Sequence, residues 1–82
     1  MRIKILGMRE CVDHEFTLEQ YEQALTNHNQ SLERLHQRGG LSWCELAAIL
    51  YCVPWQRINK KYTNDMWRKH LAEKFGLKVI SL

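Results

Sequence analysis

The sequence predicts a mainly α fold: a compact bundle of three or four helices, with a short two-stranded β-ribbon formed by the chain termini. Three observations predict it. Capping boxes stand at the heads of two helical segments, Thr17 with Gln20 and Ser42 with Glu45. Apolar residues recur at alternating steps of 3 and 4 from Leu18 to Leu35, the spacing of one helix face. Both ends, RIKIL and LKVISL, are β-prone. The 82 residues form a single small globular domain, since a second core would leave each half too little surface to bury. With 45% apolar and 26% charged residues, neither disorder nor a fibrous repeat is indicated.

Each element has its own signal. Ile3 and Ile5 alternate with Arg2 and Lys4, the period of a half-buried strand, and Ile3 to Leu6 is expected to pair with Val79 to Leu82. Helix 17–38 begins at the Thr17 cap, with Phe16 and Tyr21 as a hydrophobic staple. Leu18, Tyr21, Leu25, His28, Leu32 and Leu35 form its apolar stripe, and Gly39-Gly40 ends it. A second helix starts at Ser42, stapled by Leu41 and Leu46. It runs to about Cys52, because Pro54 biases Val53 away from helical geometry. Pro54 suits the first turn of a further helix lined by Trp55, Ile58 and Tyr62. Thr63 caps a segment carrying Met66, Trp67, Leu71 and Phe75, with Gly76 as its C-terminal cap, so residues 54–75 read as two helices or as one bent helix.

Residues 44–61 resemble the helix-turn-helix segment of DNA-binding domains. Ala48 takes the small position, and Ala47, Tyr51, Val53 and Ile58 take the buried positions. Cys52 stands where the pattern usually has glycine, and Lys61 where it has a third apolar residue. The resemblance implies that the helix after Pro54 reads the major groove. With Trp55, Ile58 and Tyr62 turned inward, Gln56, Arg57 and Lys60 fall on the opposite face, and Asn59 and Lys61 at its margins. Gln56 and Lys60 are then candidates for base readout, and Arg57, Lys61, Arg68 and Lys69 for phosphate contacts.

Charge points the same way. From residue 41 onward seven Lys and Arg face three acids, a balance of 7 − 3 = +4, whereas residues 1–40 carry 5 − 6 = −1. The expected function is therefore that of a small, non-enzymatic, DNA-binding regulatory protein with duplex DNA as partner. The alternative is a protein-binding inhibitor or adaptor, of phage or mobile-element type, whose basic C-terminal half occludes an acidic partner protein. The stripe of helix 17–38 also suits a homodimer.

Other chemistries find less support. No nucleophile elbow, phosphate loop or paired-carboxylate motif marks an enzyme. Cys11 and His14 have ligand spacing, but no second pair completes a tetrahedral set, so neither a metal nor another cofactor is expected. Trp43, Trp55 and Trp67 recur every 12 residues, yet Pro54 breaks any continuous stacking stripe. Three cysteines are an odd number without the spacing of a disulfide framework, which suits reduced thiols and a cytoplasmic location. The N-terminus lacks a signal peptide's apolar run, and no stretch of ~20 apolar residues suits a membrane.

Overall fold

The computed structural model describes residues 1–82 and departs from the expected bundle. Four helices pack against a three-stranded antiparallel sheet, so the architecture is α+β. The sheet comprises β1 (Arg2–Lys4), β2 (Glu10–Asp13) and β3 (Lys78–Ser81) in the order β1-β2-β3. The termini therefore do not pair with each other: β2 lies between them, with Ile3 opposite Val12 and Val12 opposite Val79. A two-stranded ribbon is marginal in water, and a central strand bonds to both neighbours. Its sequence, ECVD, carries acids at both ends, which disguises a strand whose Val12 is fully buried.

Alternation sends Ile3, Ile5 and Val12 into the main core, while Arg2, Lys4, Cys11, Asp13, Lys78 and Ile80 belong to the other face of the sheet. The helices lie on the core side. They are α1 (Leu18–His28), α2 (Leu32–Arg38), α3 (Trp43–Leu50) and α4 (Asn64–Phe75). No helix is long and apolar enough to cross a membrane.

The capping signals act where they stand. Thr17 with Gln20, and Ser42 with Glu45, form complete capping boxes, and Thr63 accepts from the Met66 amide. The expected helix 17–38 is two helices. Asn29 adopts the left-handed conformation (φ 53°), which Asn tolerates better than most residues, and Ser31 then caps α2.

The helix expected after Pro54 does not form. At the end of α3 the Cys52 amide donates to the Ile49 carbonyl and the Val53 amide to that of Ala48, a Schellman closure in which Cys52 adopts the left-handed conformation (φ 54°) usual for glycine. Pro54 then leads into a single 3-10 turn, Trp55–Arg57. Two bonds compete with helical propagation. Asn27 Oδ1 accepts from the Trp55 amide at 3.1 Å, and Asn59 Oδ1 accepts from the Lys61 amide at 3.0 Å. Ile58, extended and buried, anchors the segment between them.

Candidate nucleic-acid interface

Residues 51–63 thus connect α3 and α4 as a 13-residue loop (64 − 50 − 1), where a helix-turn-helix has a turn of three or four. Aromatic contacts hold the loop to the body. Tyr62 packs on Trp67 with ring centroids 4.8 Å apart, and Trp67 lies 5.8 Å from His70. Tyr51 stacks on His70, hydrogen-bonds its Nε2 through the phenol oxygen, and meets Phe75 edge-on. Asn64 Oδ1 accepts from the Cys44 amide at 3.2 Å, tying the heads of α4 and α3 together. The loop is therefore irregular but anchored at both ends.

Gln56, Arg57, Asn59, Lys60 and Lys61 are all exposed. Arg57, Lys60, Lys61 and Lys69 form no ion pair with a carboxylate, and residues 46–64 contain no Asp or Glu. Lys60 Nζ sits 3.3 Å from the centroid of the Trp55 ring, a cation–π contact that fixes the ammonium over the half-buried indole. The loop is thus a run of unneutralised cations with ordered aromatic support. Without a helix, however, Gln56 and Lys60 have no rigid rod to carry them into a major groove, and the expected base readout loses its geometry.

Arg68 has a different occupation. Its Nε donates to Glu10 Oε1 at 3.1 Å and its Nη2 to Oε2 at 3.3 Å, while the Trp43 indole N–H donates to the same Oε1 at 3.3 Å. Glu10 is 8% exposed while the Arg68 side chain remains partly open to solvent, so this clamp joins β2, α3 and α4 at the edge of the core. Lys69 shares a shallow groove with Asp65, Met66 and Arg68. Of the expected site residues, the loop therefore brings together Gln56, Arg57, Asn59, Lys60 and Lys61; Lys69 belongs to α4, and Arg68 to the clamp.

A second group of cations is dispersed along the sequence, in the near-neutral N-terminal half and at the far C-terminus, and only the sheet brings it together. Arg2, Lys4 and Lys78 share the helix-free face of the sheet, and Lys4 and Arg9 line a hollow with Met8 and Leu82. The alternation in RIK was the available signal. Asp13, the acid on that face, lies 3.6 Å from the N-terminal amine.

The Cys44 and Cys52 thiols are not activated. Burial pushes the Cys44 thiol up, against the pull of the Lys60 ammonium, and burial together with the Glu19 carboxylate pushes Cys52 up. Cys11 and His14 gain no further ligand, as no group of three or more His, Cys, Asp or Glu side chains stands close enough to hold a metal ion. No family model matches this chain, and neither does any curated protein or solved structure.

Proposed function

We propose that this is a small, non-enzymatic protein that binds duplex DNA by its phosphate backbone, through the cationic loop between α3 and α4. The carrying observation is the acid-free stretch 46–64, in which Arg57, Lys60 and Lys61 are exposed and unpaired beside Trp55 and Tyr62. Cations without carboxylate partners release condensed counterions when they meet phosphates, and that release drives binding without base contacts. Because the loop itself presents no α-helix to a groove, the expected mode is weakly dependent on sequence.

The test is binding to random-sequence duplex over a salt series. The logarithm of the affinity should fall linearly with log salt, and Lys61→Ala should weaken binding to all duplexes alike while reducing the slope by about 1. No binding at low salt overturns the reading.

The absence of a reading helix also favours a second reading: the same cations meeting an acidic protein surface, with the chain acting as an inhibitor or adaptor. Here the folded protein should ignore duplex at every salt concentration, yet still bind a folded acidic protein with affinity that falls as salt rises and is lowered by Lys61→Ala.

A further inference from the structure

Helix α1 is inside out. It buries Gln20 and Ala24 and half-buries Gln23, Asn27 and His28, while its large apolar residues face outward: Leu18 is 73% exposed, Leu25 53% and Tyr21 37%. The inward polar groups are partly satisfied, although Asn27 Nδ2 and His28 Nε2 are buried without a hydrogen-bond partner. Gln20 Nε2 donates to the Leu50 carbonyl, Asn27 Oδ1 accepts from the Trp55 amide and from Gln23 Nε2, and His28 Nδ1 lies 3.6 Å from Glu45. The orientation of α1 is thus favoured by the hydrogen bonds of Gln20 and Asn27 to α3 and the loop; on its apolar ridge Tyr21 packs edge-on against Phe16 and meets Met1 Sδ through its hydroxyl, while Leu18 and Leu25 remain uncovered. Leu18, Tyr21 and Leu25 follow at steps of 3 and 4, so they form one continuous line along the helix. Beyond its end, Tyr21, Glu22 and Leu25 join Ser31 and Leu32 of the next segment to line a groove.

A local rule broken at one face of an otherwise consistent fold points to use of that face. The charge beside it says by what. Glu19 and Glu22, both exposed and in no ion pair, lie on the flank of the apolar ridge, whereas Glu15, just ahead of the helix, is paired with the N-terminal amine at 3.6 Å. An antiparallel two-fold pairing of identical α1 helices would set this acidic flank against its own copy, with like charges opposed. A different partner that presents cations there meets no such penalty.

We propose that α1 is a docking surface for an amphipathic helix of another protein, one that carries an apolar ridge flanked by Lys or Arg. The apolar ridges interdigitate as in helix-in-groove recognition, and the basic flank pairs with Glu19 and Glu22. This inference does not rest on the DNA-binding reading.

The probe is a stapled helical peptide with three Leu at steps of 3 and 4 and Lys along the neighbouring ridge, titrated into the isotope-labelled full chain by NMR. A second peptide carries Glu in place of Lys. The Lys peptide should bind saturably, shift amides confined to residues 18–25 and 31–32, and bind about tenfold tighter than the Glu peptide at low salt. The variant Glu19→Lys/Glu22→Lys, altered only at exposed positions, should reverse that preference. Equal binding of the two peptides, binding of neither, or shifts elsewhere would overturn the proposal. So would a dimer in light scattering that Leu25→Ser converts to monomer, since a second copy would then be the occupant.

Discussion

At Gly40 the backbone takes φ 105° and passes so close to β1 that a Cβ would overlap the Lys4 carbonyl, to which the next amide, that of Leu41, donates at 2.9 Å. Neither the neighbour nor the conformation can yield, because both belong to main chain that covers the outer edge of β1. Gly40→Ala should therefore cost at least ~2 kcal/mol, measured by urea unfolding. His28 sets a pH dependence. Burial holds its pKa below the usual 6.5, outweighing the Glu45 carboxylate that raises it, while Arg38 lowers it further. The folded state thus binds fewer protons than the unfolded chain in the window just below pH 6.5, so stability should be fully present above 6.5 and decline as pH falls through the folded value. In the variant His28→Gln this part of the dependence of the urea midpoint should disappear. The caps at Thr17, Ser42 and Thr63 were legible in the sequence because a cap acts within four residues of itself, whereas Asn29 and Ser31 lay hidden inside an unbroken apolar spacing. The Gly40 approach to Lys4 and the Glu10–Arg68 clamp were not legible either, since their partners lie 36 and 58 residues away.

Among the elements, α1 shows most clearly what periodicity can and cannot say. The 3-4 spacing of Leu18, Tyr21, Leu25, His28, Leu32 and Leu35 locates helices, but it does not reveal that the chain turns at Asn29. That turn separates the outward Leu18, Tyr21 and Leu25 from Leu32 and Leu35, which are fully buried. Hydrophobic ranking favours the opposite orientation of α1; the hydrogen bonds of Gln20 and Asn27 to α3 and the loop decide against it. Leu25→Ala should accordingly change unfolding free energy by no more than ~0.5 kcal/mol, whereas Leu35→Ala should cost ~2–5 kcal/mol. Comparable losses at both positions in urea titrations would show that α1 packs its apolar ridge after all. The loop after Pro54 follows a related logic. Its apolar spacing suits a helix, but the Asn27 and Asn59 side chains take up the Trp55 and Lys61 amides and leave one 3-10 turn.

For the whole molecule the net charge of +3 conceals two cationic surfaces of different origin. One is the loop, with Arg57, Lys60 and Lys61; the other is the helix-free face of the sheet, with Arg2, Lys4 and Lys78. Charge alone would let either meet a polyanion. They differ in what surrounds the cations. On the sheet, Asp13 stands in the same cross-strand row as Arg2 and Lys78, directly opposite both, so each of these cations already has a carboxylate neighbour. On the loop no carboxylate occurs from residue 46 to 64, and Trp55 holds Lys60 in place, which reduces the ordering entropy left to be lost on binding. The loop should therefore dominate. Arg57→Ala/Lys61→Ala should lower the slope of log affinity against log salt by about 2, roughly one for each phosphate that no longer meets a cation. Arg2→Ala/Lys78→Ala removes the same formal charge from the sheet and should leave the slope within about 0.5 of the unaltered protein. Equal effects from the two pairs would mean that binding responds to net charge, and the loop would lose its claim as the interface.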